Sequence, residues 1–295
     1  MSIANAVKII LFLFPLLEWS AGCSNPEEKE APLEIECLVP RYLLPPELNE
    51  NSGMIWYDGL IWMINDSEGN PYLYALDTAT VKIVKHVRLA DAENVDWEEI
   101  AQDESYIYVG DFGNNDGSRR DLCIYKIDKS DLEDTLAVPE IIHFSYPDQT
   151  DFTPAPYDTP FDCEAMISAG DSLQLFSKNW TGGECHIYKV PAVPGNYVAV
   201  LRGSLKIDGQ VTASAYSDAN HCLYLLGYDN FIPFLCLLQD FIPGEDYQGS
   251  IQQYSFPENF GTQTEGIALP DKREILISCE KGYGEPALFS AGPCE

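Results

Sequence analysis

One sequence unit recurs five times along the chain and constrains the fold more than any other feature. In each copy a serine or glutamate opens an apolar strand, a short turn follows, and an aromatic-rich strand ends in a polar cluster. The opening residues are Ser52, Glu98, Glu164, Ser214 and Glu265, at separations of 46, 66, 50 and 51. Repeats of this length that each hold several strands are typical of β-propeller blades.

Each copy continues into a third strand, and the first four continue into a fourth. We predict third strands at 72–77, 122–127, 185–190, 233–239 and 287–290, and fourth strands that include 83–89 and 140–146. The chain is therefore predicted to be all-β, a single β-propeller of five four-stranded blades. Two β-sandwiches would explain the turn spacing equally well, but they would not explain the repeated serine or glutamate.

The fifth copy reaches the C-terminus after only three strands, so its fourth strand must come from elsewhere. We predict that an N-terminal strand, residues 33–39, supplies it, which closes the ring and leaves no exposed sheet edge. Strands paired in this way bring Cys37 close to Cys294, and we expect a disulfide bond between them. The propeller domain is predicted to cover residues 33–295.

The N-terminal segment predicts a lipoprotein. Residues 1–22 form a signal peptide in which Lys8 precedes an apolar run, and small residues lead to Cys23, the expected site of lipidation. An acidic tether follows over residues 23–32. The alternative is an ordinary signal peptide followed by an unrelated cysteine. We expect a bacterial outer-membrane lipoprotein, facing the periplasm or exposed on the cell surface, with the lipid on Cys23 as its membrane contact.

The net charge of −30 limits the possible partners. Nucleic acid is excluded because phosphate binding requires a basic surface, whereas cations are favoured. The four histidines are scattered and the cysteines form no C-x-x-C pair, so the sequence does not predict a zinc site. We expect a monomer.

The five opening side chains converge if the first strand of every blade lines the central channel. Three carboxylates in a narrow channel repel one another unless a cation compensates them. Calcium accepts about six to eight oxygen ligands in flexible geometry. We therefore predict a Ca²⁺ site formed by Ser52, Glu98, Glu164, Ser214 and Glu265. A small change in register would replace Glu98 by Glu99 or Ser214 by Thr212, and solvation by channel water is the alternative to a metal.

Polar, glycine-rich loops are expected to gather at one mouth of the channel, where rigid rings commonly bind ligands. Their basic, acidic and aromatic side chains are candidates for holding a small molecule or glycan, although each also suits an ordinary turn or surface. The candidates are Asp66, Trp97, Asp111, Asn114, Arg119, Arg120, Lys178, Trp180, Asp229 and Lys281. An insert over residues 146–161 is predicted to form a flap over this mouth.

The order Ser, Glu, Glu, Ser, Glu at blade-length spacing resembles the axial calcium site of the five-bladed, calcium-activated apyrase family, which hydrolyses nucleoside di- and triphosphates. The resemblance covers most of the mature chain as architecture but only five positions as chemistry. Residues 94–101 and 110–115 also resemble segments of uncharacterised secreted bacterial propellers.

Three functions are compatible with these features. The first is ligand binding by a calcium-bearing surface propeller, and the second is the apyrase-like hydrolysis that the resemblance implies. The third is a calcium-dependent lactonase or esterase, which would require a sixth blade. Binding is preferred over nucleotide hydrolysis because the chain has few basic residues for a polyphosphate.

Overall fold

Antiparallel strands provide nearly all the regular structure of the computed structural model, which describes residues 35–66, 69–282 and 284–294. The predicted signal peptide, Cys23 and the acidic tether lie outside these residues. In chain order the strands are β1 (Cys37–Leu43), β2 (Asn51–Tyr57), β3 (Leu60–Asn65), β4 (Tyr72–Asp77), β5 (Lys82–Leu89), β6 (Trp97–Gln102), β7 (Tyr106–Asp111), β8 (Cys123–Asp128), β9 (Leu136–Ala137), β10 (Glu140–Ser145), β11 (Asp162–Ala169), β12 (Ser172–Lys178), β13 (Cys185–Pro191), β14 (Gly195–Val198), β15 (Val200–Leu205), β16 (Gln210–Ser217), β17 (Cys222–Asp229), β18 (Ile232–Gln239), β19 (Ile251–Ser255), β20 (Thr264–Ala268), β21 (Ile275–Cys279) and β22 (Ala287–Gly292). Three short 3-10 helices cover Pro46–Leu48, Lys129–Glu133 and Pro257–Asn259. No helix within the described ranges has the length and apolar character needed to cross a membrane.

The strands form five sheets, which confirms the predicted five-bladed β-propeller. Blade 1 contains β2 to β5, blade 2 contains β6, β7, β8 and β10, blade 3 contains β11, β12, β13 and β15, and blade 4 contains β16 to β19. Blade 5 combines β20, β21 and β22 with β1. The first strand of each blade contacts the first strands of both neighbours, so β2, β6, β11, β16 and β20 enclose a central channel.

Two short strands connect neighbouring blades on the outside of the ring. β9 leaves the chain of blade 2 and pairs in parallel with β5 of blade 1. β14 leaves blade 3 and pairs in parallel with β10 of blade 2. Both cover part of the outer edge of the preceding blade, which limits the backbone available for pairing with another chain.

The N-terminal strand completes blade 5, as predicted. β1 pairs antiparallel with β22, and a disulfide bond joins Cys37 to Cys294, whose Cα atoms lie 5.3 Å apart. The strand continues to Leu43 instead of ending at residue 39. The pairing shifts between Pro40 and Tyr42, and this irregularity on an edge strand accommodates a proline that has no N–H to donate.

The hydrophobic core lies between neighbouring blades. In β3, Ile61 and Met63 pack in the cluster shared with blade 5, whereas Trp62 and Ile64 pack in the cluster shared with blade 2. Successive side chains of a strand point to opposite faces, and both faces are buried here. Within the described residues one such cluster fills each of the five blade interfaces. Removing any blade would therefore expose two apolar faces.

We predict that the Cys37–Cys294 disulfide is a main contributor to ring closure. Cys37→Ser/Cys294→Ser should destabilise the domain by about 2–5 kcal/mol, because the bond restricts the unfolded chain. This corresponds to a fall in Tm of roughly 5–15 °C. Reductant should lower the Tm of the wild type and leave that of the variant unchanged. An equal response of both proteins would contradict the prediction, since the six other described cysteines are free and buried.

Candidate functional site

Every inner strand carries a β-bulge at an equivalent position. In each blade one residue of the first strand is skipped between two neighbours that pair with the second strand. A bulge leaves this residue unpaired and redirects its side chain. The skipped residues, which we call the bulge ring, are Ser52, Glu98, Glu164, Thr212 and Glu265.

The bulge ring contains four of the five residues predicted to line the axis. In blade 4 the equivalent residue is Thr212, the alternative that the sequence left open, and the choice of Ser214 was wrong. Ser214 is paired with Leu225 and donates its backbone N–H to Glu99 Oε2 at 2.8 Å. The repeat spacing did not locate the bulge in this blade because pairing with the neighbouring strand sets its position.

The two hydroxyl residues of the bulge ring connect adjacent blades. Ser52 Oγ donates to the carbonyl of Trp97 at 2.7 Å, and Thr212 Oγ1 donates to the carbonyl of Thr264 at 2.5 Å. In both cases the acceptor immediately precedes the bulged residue of the next blade. These hydrogen bonds hold the inner strands in register around the channel.

Strand pairing places a second set of side chains next to the bulge ring. These residues, which we call the second ring, lie in the last two positions of the second strand or directly after it in each blade and are Asp66, Phe112, Lys178, Tyr228 and Glu280. The backbone N–H of Asp66 donates to the carbonyl of Glu50 at 2.7 Å, and that of Glu280 donates to the carbonyl of Gln263 at 3.1 Å. Lys178 is paired with Asp162 at the equivalent position of blade 3. The second ring thus carries both charged and aromatic groups.

Lys178 neutralises the glutamate of blade 3. Its Nζ lies 2.7 Å from both carboxylate oxygens of Glu164, and both side chains are buried. Burial raises the pKa of Glu164 well above its usual value, although the ammonium of Lys178 opposes this rise. The ammonium also lies 4.8 Å from the ring centre of Trp180 and 5.3 Å from that of Tyr228. An internal cation therefore occupies part of the channel in which the sequence predicted calcium.

A group of three carboxyls lies between blades 1 and 2. One oxygen from each of Asp66, Asp96 and Glu98 lies within 4.8 Å of the other two. Burial is the main cause that raises the pKa of Asp96 to about 7, and the charge of Asp66 raises it further. Burial, followed by the charge of Glu164, raises the pKa of Glu98 well above its usual range. We call this group the acidic triad.

The absence of a side chain at Gly113 makes room for the carboxylates of the acidic triad. A Cβ atom at this position would collide with Glu98 Oε1 and with the carboxylate of Asp96. The preceding residue, Phe112, is fully buried and packs against Phe144 instead of facing the channel. Blade 2 therefore contributes no second-ring side chain to the mouth, and the triad lies in the room that remains.

Three further carboxyls surround the same mouth. Burial raises the pKa of Glu265 to about 8, while Lys178 lowers it and Glu280 raises it. Burial and then the charge of Asp66 raise the pKa of Glu280 to about 7. Asp162 is fully buried and accepts hydrogen bonds from Trp180 Nε1 at 2.6 Å and from the backbone of Asn114 at 2.6 Å. The mouth is thus strongly acidic, with Lys178 as its buried ammonium.

Several of the predicted ligand-binding residues instead build the loop of residues 111–121. Arg119 donates to Asp111 Oδ1 at 2.8 Å, to the carbonyl of Gly113 at 2.9 Å and to Asp121 Oδ1 at 3.1 Å. The side chain of Asn114 accepts the backbone N–H of Arg119 at 2.9 Å. Arg119, Asp111 and Asn114 therefore hold the loop in shape behind the acidic triad.

Four other candidates differ in position. Trp97 is fully buried between blades 1 and 2, where its Nε1 donates to the carbonyl of Glu93 at 3.0 Å, so it cannot stack on a ligand at the mouth. Arg120 lies over the ring of Phe152, 3.5 Å from its centre. Asp229 is exposed at the end of β17 and Lys281 is exposed on a loop, and neither forms an ion pair with a described residue.

The insert of residues 146–161 packs on the loops of blades 2 and 3. Ala155 and Tyr157 donate backbone hydrogen bonds to Asp116 and Asn115 at 2.9 and 2.8 Å. The ring of Tyr157 lies 4.9 Å from that of Trp180, edge to face, and remains 63% exposed. The insert therefore adds an exposed aromatic side chain beside Lys178.

Glu99 closes the channel below the acidic mouth. It is fully buried, and its carboxylate accepts the N–H groups of Ile100 at 3.0 Å and Ser214 at 2.8 Å, with a further hydrogen bond from the backbone of Met166. Burial raises the pKa of this carboxyl well above its usual value, while these hydrogen bonds lower it. A cavity of about 560 Å³ opens at the opposite end, lined by the far ends of the inner strands.

Comparison with known proteins identifies the fold. No model of a known protein family matches the chain, and no curated protein sequence is significantly similar. The glutaminyl cyclase of Myxococcus xanthus superimposes with a TM-score of 0.50 at 14% identity, covering 87% of this chain and 94% of that one. The PQQ-bound aldose sugar dehydrogenase of Streptomyces coelicolor gives 0.48 at 10% identity over 86% and 97%. At 14% identity, the similarity to the glutaminyl cyclase shows a shared fold alone.

The raised pKa values of the mouth predict how stability depends on pH. In the folded protein Glu265 keeps its proton up to about pH 8, whereas in the unfolded chain it loses it near the ordinary value of 4.5. The folded state therefore binds more protons between these values, and its stability falls as pH rises through this window. With a chelator present, we expect Tm to decrease from pH 5 to pH 8.

Glu265→Gln should make this decrease smaller, because the amide does not ionise. Glu258→Gln, which changes an exposed glutamate, serves as the control and should keep the wild-type slope. Thermal melts at each pH provide the measurement. Identical slopes for all three proteins would contradict the assignment to Glu265.

Proposed function

We propose that the chain is a lipid-anchored, extracytoplasmic propeller that binds Ca²⁺ at its acidic mouth and uses the ion to bind a small-molecule or glycan ligand. The observation that carries this proposal is the acidic triad, whose oxygens lie within 4.8 Å of one another. Carboxylate oxygens at this separation suit calcium, which tolerates irregular geometry and completes its coordination with carbonyls or water. Asp66 and Asp96 are half-buried, so an ion can enter from solvent.

This proposal moves the ion away from the predicted axial position. Glu164 is already neutralised by Lys178, and the hydroxyls of Ser52 and Thr212 donate to backbone carbonyls. Glu98 and Glu265 remain as the bulge-ring carboxyls without an ion pair to a described residue, and Asp96 forms none either. Of these two glutamates, Glu98 belongs to the group whose oxygens lie within 4.8 Å of one another. Calcium is therefore expected between blades 1 and 2.

The charge of the mouth favours a ligand that is not strongly anionic. The mouth holds seven carboxyls and the ammonium of Lys178, the carboxyls being Asp66, Asp96, Glu98, Asp162, Glu164, Glu265 and Glu280. Hydroxyl groups can donate to such carboxyls and can also coordinate calcium. Trp180 and Tyr157 offer aromatic surface next to them. A polyhydroxylated molecule suits this combination.

The two enzymatic alternatives receive less support. An apyrase-like hydrolase needs basic groups around the phosphates, but Arg119 is bonded within its own loop and Arg120 lies over Phe152. A lactonase or esterase of the six-bladed class needs one more blade than the five that the described residues form. Binding is therefore the function that we propose.

We expect Ca²⁺ to stabilise the protein through the acidic triad. An ion that binds only the folded state at 100 times its Kd adds about 2.7 kcal/mol, which is a Tm increase of roughly 5–10 °C. Asp96→Asn should remove most of this increase. Gly113→Ala should do the same by displacing Glu98 and Asp96 without changing the charge.

Asp116→Asn is the matched control for Asp96→Asn. It also removes one carboxylate, but Asp116 is exposed in the loop of residues 111–121 and is not part of the acidic triad. Melts and calorimetric titration with CaCl₂ provide the measurement. If Asp116→Asn and Asp96→Asn reduced the calcium response equally, a diffuse effect of surface charge would replace the proposed site.

Lys178→Met should strengthen calcium binding, whereas Asp96→Asn should weaken it. The methionine keeps apolar packing against Trp180 and Tyr228 but removes the positive charge from the mouth. Breaking a buried ion pair costs about 3–5 kcal/mol, so the calcium-free variant should melt at a lower temperature. Its calcium Kd should fall several-fold because Lys178 no longer repels the ion. An unchanged or higher Kd would show that Lys178 does not influence the site.

A further inference from the structure

The turn between β17 and β18 holds an aromatic residue in an unfavourable backbone conformation. Asn230 has a φ of 49° and Phe231 a φ of 63°. Two-residue hairpins with positive φ at both positions commonly place glycine second, since a side chain there is disfavoured. A phenylalanine at this position is strained, and such strain is found most often where a side chain has a functional role.

The position of Phe231 extends the aromatic surface of the mouth. Its ring is 40% exposed and lies parallel to that of Tyr228, with centres 6.3 Å apart and an interplanar angle of 7°. Tyr228 belongs to the second ring and lies beside Lys178. The carbonyl of Phe231 accepts a hydrogen bond at 2.8 Å from the backbone N–H of Gly261, in the connection between β19 and β20, and this bond fixes the turn.

We propose that Phe231 is a specificity residue on which a pyranose sugar stacks at the acidic mouth. This inference rests on the proposed function and names the class of its ligand. The C–H face of a pyranose is apolar and packs on an aromatic ring, while its hydroxyls donate to carboxyls. Tyr228 connects Phe231 to Lys178, Glu164 and Glu265, so a stacked sugar presents its hydroxyls toward polar partners.

A sugar suits this surface better than a nucleotide does. A nucleobase would also stack on Phe231, but its phosphates would enter a mouth dominated by carboxyls and would be repelled. A neutral pyranose brings no charge and supplies several hydrogen-bond donors. An organic cation such as choline is the competing ligand, because aromatic faces and carboxyls also attract ammonium groups.

The test compares Phe231→Gly with the wild-type protein. The methyl α-pyranosides of glucose, galactose and mannose are titrated calorimetrically in CaCl₂, and choline chloride is titrated separately. At least one glycoside should bind the wild type. Phe231→Gly should reduce the affinity for that glycoside about tenfold, while Phe231→Trp should retain it. The Tm of Phe231→Gly should stay equal or rise, because glycine relieves the positive φ.

Asp240→Gly is the matched control, since Asp240 has a φ of 55° at the opposite end of β18 and is exposed. It should leave the glycoside affinity unchanged. The inference is overturned if no glycoside binds or if choline binds instead of the glycosides. It is also overturned if Phe231→Gly lowers Tm without reducing the affinity for the glycoside. Calcium titration without sugar tests the proposed function separately, and repeating the glycoside titration in chelator tests Phe231 even if calcium does not bind.

Discussion

Repulsion among carboxyl groups at one end of a narrow channel is the constraint that organises this propeller. Five inner strands converge there, and each brings its bulged residue to the same level of the ring. Burial at this level disfavours charge, and the neighbouring carboxyls disfavour it further. The repulsion is relieved differently around the ring. In blade 3 the ammonium of Lys178 neutralises Glu164, whereas between blades 1 and 2 the pKa values of Asp96 and Glu98 are raised, so these carboxyls hold their protons more strongly. Under the proposed function, a divalent cation would compete with a proton for the same group.

Glu99 explains why this chemistry is confined to one end. A buried carboxylate is tolerated when several N–H groups point at it, and three inner strands supply them here. Its carboxylate is packed closely enough that Gly53 of blade 1 has no room for a side chain beside it. The cavity beyond combines apolar side chains such as Met54, Met166 and Ile267 with polar ones such as Gln102 and Asp103. The acidic mouth is thus separated from it by a closed, hydrogen-bonded layer.

The sequence predicted the architecture because a blade is a local unit with its own turn residues, and closure by an N-terminal strand follows from a missing fourth strand. The repeat spacing selected four of the five bulge-ring residues as axial candidates, but it did not predict the bulges, and the position of Thr212 depends on pairing between strands. Trp97 was misassigned because an aromatic residue at a loop end looks exposed until blade 1 is packed against it. Glu280 and Tyr228 were missed because no fixed offset identifies them: Asp66 and Lys178 follow their bulge residues by 14 positions, whereas Glu280 follows Glu265 by 15 and Tyr228 follows Thr212 by 16.

The second ring shows how one repeated scaffold acquires an asymmetric site. Its residues are an aspartate, a phenylalanine, a lysine, a tyrosine and a glutamate at positions that the backbone makes equivalent. A ring of identical acids would place a cation on the axis, equidistant from all blades. The ammonium of Lys178 instead repels a cation from blade 3, and the buried Phe112 leaves room beside Gly113 in blade 2. The ion that we propose would therefore lie on the side of Asp66, and the aromatic surface that begins at Tyr228 would remain open on the side of blade 4. Substitutions at Asp66 and Glu280 would redistribute charge at the mouth with little effect on the blades, because both residues follow the ends of their second strands, whereas Phe112, Lys178 and Tyr228 are buried.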